Sequence, residues 1–89
     1  MSDFNNLRFD QNNGVYFDLT IDELTQKVFL DITIFEDLAK KRNITSENIA
    51  YVMFHSLQST IYRMCINAIS ENPSWPKDNP LPLLKKHNR

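Results

Sequence analysis

Four polar side chains of the kinds that bind anions recur in the second half of the chain. They are His55, Ser59, Arg63 and Asn67. Because they are spaced four residues apart, they would share one face of an α-helix. Such a set could hold a phosphate or a carboxylate at a subunit interface, with the Arg63 guanidinium as the charged donor. An ordinary solvated helix face has the same pattern, and we prefer that interpretation.

Other reactive side chains do not combine into a catalytic or metal site. His55 and Cys65 are ten residues apart and would fall on different faces of a helix, so they are not a metal-binding pair. Cys65 lies among apolar neighbours, which favours a core position. The sequence offers no readable catalytic triad or carboxylate pair, and a single glycine, Gly14, excludes a glycine-rich phosphate loop. We therefore expect no enzymatic activity, no cofactor and no metal.

The polar stripe belongs to a segment, 46–71, that contains neither glycine nor proline and predicts one long α-helix. Thr45 or Ser46 would cap its first turn. Apart from the stripe, its surface is almost entirely apolar, whereas a surface helix normally buries a narrower band. A chain of 89 residues has little else to cover this surface. The excess predicts a homo-oligomer, most simply a two-fold dimer.

The residues expected at the oligomer or partner interface are apolar or aromatic side chains of this helix and of the segment that follows it. They are Val52, Phe54, Leu57, Ile61, Tyr62, Ile66, Ile69, Trp75, Leu83 and Leu84.

The segment before the long helix has two interpretations. Residues 20–23 have the form of a capping box, and apolar residues then recur at spacings of three and four. This pattern predicts a helix over 21–42, which would pack antiparallel to 46–71 as a helical hairpin. Lys40, Lys41 and Arg42 would then complement the C-terminus of that helix or, alternatively, contact an anion or a nucleic acid.

The competing interpretation of the same segment is a β-strand. Residues 15–20 alternate between apolar and polar side chains, which predicts a half-buried strand. Residues 27–32 are rich in β-branched and aromatic types and could pair with it as a β-hairpin. We prefer the helix, because the turn between the two strands would contain no Gly, Asn or Pro.

The expected fold is therefore mainly α, with a short N-terminal strand before a helical hairpin. The alternative is an α+β fold with a β-hairpin before two helices. Residues 1–13 are expected to be a flexible arm, 14–71 a single helical domain, and 72–89 an extended tail, because the tail holds all four prolines. The sequence leaves open whether the tail packs on its own chain or on another protein.

Composition and charge suggest a cytoplasmic protein. The net charge of −1 provides no field that would attract nucleic acid or an anionic membrane. The single cysteine excludes an internal disulfide and is typical of a reducing compartment. The N-terminus is polar and acidic, unlike a signal peptide, and no apolar run is long enough to span a bilayer.

The predicted order of strand, helix, turn and helix resembles the ribbon-helix-helix repressors, with residues 38–49 as the helix junction. In that family two copies pair their strands into a ribbon that enters the major groove. The resemblance implies a DNA-binding transcriptional regulator with 15–20 as the ribbon. Side chains such as Tyr16 and Asp18 are not the types that read base edges. The cations available for nucleic-acid contact are Arg8, Lys40, Lys41 and Arg42.

Small size, near-neutral charge, surplus apolar helix surface and a tail carrying Trp75 together favour a non-enzymatic protein-interaction module. We expect a homo-oligomer that binds and modulates a protein partner as a regulator, inhibitor or adaptor. DNA binding is the alternative, and binding of a small anion is the third hypothesis.

Overall fold

A computed structural model describes residues 2–89 of the chain. The fold is α+β. In chain order, the strands and helices of this part are β1 (Ser2–Asp10), β2 (Gly14–Ile21), β3 (Leu24–Asp31), α1 (Ile32–Ala39), α2 (Glu47–Ser56), α3 (Gln58–Glu71) and β4 (Leu81–Leu83). A 3₁₀ turn, Lys85–His87, follows β4.

Over residues 2–89 the strands form one four-stranded sheet in the order β1-β2-β3-β4. The first three strands are antiparallel neighbours, and β4 lies parallel to β3 after the helices have crossed over. The mainly α prediction is therefore wrong. The β-hairpin alternative describes β2 and β3 but lacks the two outer strands.

The turn between β2 and β3 explains why the helix was wrongly preferred over 21–42. Ile21 pairs directly with Leu24, so only Asp22 and Glu23 form the turn. Both turn residues have positive φ, 49° and 72°, as in the type I′ turns that suit the twist of a hairpin. Asp is tolerated in this conformation, but Glu is not among its usual residues. The hairpin therefore forms without the Asn-Gly or Asp-Gly pair from which such a turn is normally predicted.

Helix α1 begins only after β3 has ended. The Asp31 carboxylate caps it by accepting a hydrogen bond from the backbone N–H of Thr33 at 2.9 Å. At its other end Lys40 adopts the left-handed conformation, with φ of 55°, which stops the helix. The single helix expected over 21–42 is thus a strand followed by a short helix.

The N-terminal segment, expected to be a flexible arm, forms the edge strand β1. Its register on β2 shifts between Asn5 and Arg8, which is a β-bulge. Phe4, Leu7 and Phe9 pack against the core.

The turn from β1 to β2 requires Gly14. This residue has φ of 144°, and a Cβ built on it would lie 2.1 Å from the carbonyl oxygen of Leu30. Any other residue would therefore force the neighbouring strand to move.

The core lies between one face of the sheet and the helices. Alternate residues of β2 and β3, such as Phe17 and Val28, are buried against helix residues, such as Phe54 and Ile61. Leu81 and Leu83 extend the same apolar face onto β4. Many apolar side chains of 46–71 are buried or partly buried in this core, whereas Ile49, Val52 and Ile66 are exposed, and the homo-oligomer stays a prediction.

The expected single helix over 46–71 is divided at Leu57, where φ is −102° and ψ is 9°. The Leu57 N–H is shared between the carbonyl oxygens of Met53 and Phe54, a bifurcated bond typical of helix ends. The predicted cap is confirmed, since the Ser46 hydroxyl accepts a hydrogen bond from the Ile49 N–H. In residues 2–89 no helix is sufficiently long and apolar to cross a membrane.

Candidate functional site

The predicted anion-binding stripe is partly covered by the C-terminal residues of the same chain. The Arg63 guanidinium donates a hydrogen bond to the side-chain oxygen of Asn88 at 2.7 Å. The Asn67 amide donates to the carbonyl oxygen of His87 at 2.7 Å. His55 lies on α2 and Ser59 on α3, both exposed. The Arg63 and Asn67 side chains are thus engaged in holding the tail.

The C-terminal tail is also held by an ion-pair cluster around Glu71. The carboxylate lies 2.6 Å from a guanidinium nitrogen of Arg89 and 3.1 Å from the Lys86 ammonium. The ring of His87, which is buried, lies 3.3 Å away. Hydrogen bonds from Arg89 and Lys86 lower the pKa of Glu71 from 4.5 to about 2. We interpret this cluster as a structural contact that holds the tail against α3.

The residues predicted to form an interface are divided between the interior and the surface. Phe54, Ile61 and Leu83 are buried in the core of the chain and are not available to a partner. Four are partly buried against that core: Leu57, Tyr62, Ile69 and Trp75. The exposed ones are Val52, Ile66 and Leu84. The tail residues Trp75 and Leu83 thus pack on their own chain.

The cations predicted to contact nucleic acid do not surround an intermolecular ribbon. The pairing edges of β2 are occupied by β1 on one side and β3 on the other, so β2 cannot pair with a second copy as the ribbon-helix-helix family requires. Arg8 lies over the ring of Tyr16 on the sheet face opposite the helices, 5.5 Å from its centre. Lys40 and Lys41 are exposed after α1. Arg42 pairs with Asp37 at 3.0 Å.

Cys65 does not serve as a nucleophile in this fold. Its side chain is buried in the core, and the loss of solvent around it raises the pKa of the thiol to about 12. The thiol therefore stays protonated at neutral pH and lacks the thiolate character that reactivity requires. Across residues 2–89 no group of three or more metal-ligating side chains is found.

A different part of the molecule forms a concave apolar site. It lies between the β2–β3 turn, helix α3 and the loop before β4, and encloses about 360 Å³. We call it the Gln26 groove. Its apolar lining consists of Leu19, Ile21, Leu24, Ile66 and Ile69, and its polar lining of Asp22, Gln26, Ser70 and Lys77. Of these, Ile66 and Ile69 belong to the predicted interface.

The walls of the Gln26 groove expose apolar side chains to solvent. Leu24, at the start of β3, is 66% exposed, and Ile66, on α3, is 37% exposed. Isolated exposed apolar side chains are common on protein surfaces. Leu24 and Ile66 border the same apolar cavity and so form a patch that a partner could cover.

The buried polar residue of the groove is Gln26, which is 3% exposed. Its amide nitrogen is within hydrogen-bonding distance of the carbonyl oxygens of Lys27, Asn79 and Pro76, at 2.9, 3.1 and 3.3 Å. Trp75 also donates to the Asn79 carbonyl oxygen, at 3.0 Å. Gln26 thus fixes the loop before β4 against β3.

The other polar atom of this amide is unused. Gln26 Oε1 is buried and accepts no hydrogen bond from any group in residues 2–89. Buried acceptors nearly always have a donor, because leaving one unpaired costs free energy. Gln26 Oε1 is therefore an unpaired acceptor of the interior in the described part of the chain, and since less than 1 Å² of its surface is exposed, a molecule in the groove does not reach it.

Sequence reasoning missed Gln26 because it assigned the residue to a helix or a turn. Within β3 the residues that face the core alternate, and Gln26 falls in the same row as Val28 and Leu30. A polar residue in an otherwise apolar row is a signal, but it becomes visible only once the strand is recognised.

No protein-family model, no curated protein and no solved structure matches this chain. The function must therefore be inferred from the geometry of its own surface.

Proposed function

We propose that this protein is a small non-enzymatic interaction module that binds a protein partner through the Gln26 groove. The observation that supports this proposal is the exposure of Leu24 and Ile66 on two walls of one apolar cavity. Grooves that accept ligands or partner side chains are concave, mostly apolar and furnished with a few polar groups. The Gln26 groove has each of these features.

The proposed occupant is an apolar side chain on a segment of another protein. A volume of about 360 Å³ is at the lower end of the range for ligand sites, which suits one large side chain. An aromatic side chain buries about 200 Å², which corresponds to about 5 kcal/mol of gross hydrophobic stabilisation. Asp22 and Lys77 line the same groove and provide one charge of each sign for the flanking residues of the partner.

The test compares two substitutions at equally exposed positions. Leu24 and Val52 are each 66% exposed, but only Leu24 lines the groove. Each variant, Leu24→Asp and Val52→Asp, is panned against displayed random peptides beside the unchanged protein. We expect the unchanged protein and Val52→Asp to enrich the same peptides, which carry a large apolar residue, and Leu24→Asp to lose them.

Two results would contradict the proposal. Enrichment of the same peptides by Leu24→Asp would show that the groove is not the binding site. Light scattering that detects a dimer of the unchanged protein, dissociated by Leu24→Asp but not by Val52→Asp, would identify a second copy as the occupant. That second result would support the homo-oligomer that the sequence predicts.

A further inference from the structure

We infer that the face of the sheet opposite the helices binds the same face of a second copy, so that two chains associate as a weak two-fold dimer. We call this surface the open sheet face. It is separate from the Gln26 groove, and the inference does not rest on the proposed function. It also differs from the helix surface on which the sequence predicts an interface.

The open sheet face carries two aromatic side chains that the core does not use. Side chains alternate along a strand, so Phe17 and Val28 lie in the core, whereas Tyr16 and Phe29 lie on the other side of the sheet. Within residues 2–89 these two rings belong neither to the core nor to the side chains packed against it, and both are partly exposed. The face of an antiparallel sheet that only meets water is normally polar.

The two rings belong to a row of side chains that crosses the sheet. Arg8, Tyr16, Phe29 and Pro82 pair in register from β1 to β4. The ring centres of Tyr16 and Phe29 are 4.8 Å apart, and the Arg8 guanidinium lies 5.5 Å from the centre of the Tyr16 ring. Aromatic residues and arginine are the types enriched in protein interfaces. The row therefore has the composition of an interface.

The charges on the open sheet face favour a second copy as its occupant. A two-fold axis parallel to the strands, midway between β2 and β3, exchanges these two strands. Tyr16 pairs with Phe29, and Asp18 pairs with Lys27. The axis therefore places Tyr16 over Phe29 of the second copy, and Lys27 over Asp18 of the second copy. Each of these charges then faces an opposite charge.

The exposure of the charged pair is compatible with this arrangement. The Lys27 ammonium lies 3.6 Å from the Asp18 carboxylate of its own chain, and the two side chains are 43% and 10% exposed. The long lysine side chain thus projects toward solvent, where it can approach the carboxylate of the second copy. Opposed patches of opposite sign also suppress wrong partners.

The size of the open sheet face predicts a weak dimer. Strands β1, β2 and β3 have nine, eight and eight residues. At about 3.3 Å per residue and about 4.8 Å between strands, they cover roughly 26 by 14 Å. With β4 added, two such faces would bury on the order of 1,000 Å² in total, near the lower limit for a specific interface. We therefore expect a dissociation constant in the micromolar range.

The test measures association by sedimentation equilibrium between about 10 μM and about 1 mM. The unchanged protein should form dimers, and Phe29→Thr, which keeps a residue suited to a strand, should weaken them by at least about tenfold, as the loss of a central aromatic residue does. Leu24→Asp in the groove and Val52→Asp on α2 are the controls and should leave the dissociation constant unchanged. Circular dichroism verifies that each variant is folded.

A second measurement uses only the unchanged protein. In a mixture of isotope-labelled and unlabelled chains, filtered NOE spectra detect contacts between copies alone. We expect contacts from the Tyr16 ring of one copy to the Phe29 ring of the other.

Three results would overturn the inference. They are a monomer at the highest concentration, intermolecular NOEs that involve other surfaces only, and a dimer dissociated by Leu24→Asp but not by Phe29→Thr. The peptide selection through the Gln26 groove does not depend on any of them, because Phe29 does not line the groove.

Discussion

At the scale of single residues, Glu71 shows how ionisation can hold two segments together. Arg89 and Lys86 lower the pKa of its carboxyl from 4.5 to about 2 in the folded chain. The ionised form therefore stabilises the fold above the ordinary value of 4.5, and this contribution is lost as the pH falls toward 2.

We predict that Glu71→Gln lowers the melting temperature at neutral pH and that the difference from the unchanged protein shrinks in acid, nearly vanishing by pH ~2. Circular dichroism during thermal unfolding measures this directly. Glu23→Gln is the control, because Glu23 is exposed in the β2–β3 turn and forms no ion pair within residues 2–89. A difference for Glu71→Gln that is independent of pH would contradict the ion-pair explanation.

Gln26 is the other residue whose role depends on its surroundings. Its amide nitrogen reaches carbonyl oxygens 50 and 53 residues further along the chain. A local pattern cannot indicate contacts of this length, so the candidate site was not predictable from the residues around it. The contacts of Arg63 with Asn88 and of Asn67 with His87 are equally long in sequence and could not be predicted from the spacing of the stripe.

At the scale of secondary structure, helix α2 has one buried face and one exposed face. Phe54 packs edge-on against Phe4 and Phe17, with ring centres 5.4 and 5.0 Å apart. Val52, on the same helix, is exposed. Sequence reasoning placed both Phe54 and Val52 at an interface, because it could not know which side of the helix the sheet would cover.

We predict that Phe54→Ala lowers the free energy of unfolding by about 3–5 kcal/mol, because it leaves a cavity beside the rings of Phe4 and Phe17. Val52→Ala, on the exposed face, should change it by no more than about 0.5 kcal/mol. Urea denaturation of the two variants measures the difference. Similar effects at both positions would mean that α2 does not pack on the sheet through Phe54.

The strand β3 shows why periodicity misled the prediction of secondary structure. Leu24, Val28 and Ile32 are spaced four apart and imitate a helical face, but the same spacing also keeps residues on one face of a strand. Gln26, Val28 and Leu30 lie on this face and are buried, whereas Leu24, at the start of the strand, is exposed. Pairing with β2 on one side and β4 on the other decides in favour of the strand.

At the scale of the whole molecule, the tail completes the sheet. Leu81 and Leu83 are each 1% exposed, and β4 pairs with Val28 to Leu30 of β3. Removing the tail would expose part of the core and leave β3 as an unpaired edge.

We predict that a chain cut after Glu71 loses its cooperative thermal transition, because the core is then incomplete. A chain ending at Asn88, which lacks only Arg89, is the control and should unfold cooperatively at a slightly lower temperature. Circular dichroism distinguishes the two. Cooperative unfolding of the shorter chain would mean that β4 and the tail are dispensable for folding.

The sequence by itself determined the features that depend on neighbouring residues. The strand over 15–20 was predicted from the alternation of its side chains, and the Ser46 cap from a hydrogen bond within one helical turn. Cys65 was likewise correctly placed in the core from its apolar neighbours.

The tertiary structure decided that 24–31 is a strand, that the tail packs on its own chain and that Gln26 lies at the base of an apolar groove. Each of these depends on hydrogen bonds or packing between segments far apart in the chain. Such contacts form only when the whole chain is folded, because a strand's backbone is satisfied by its neighbours and not by its own residues.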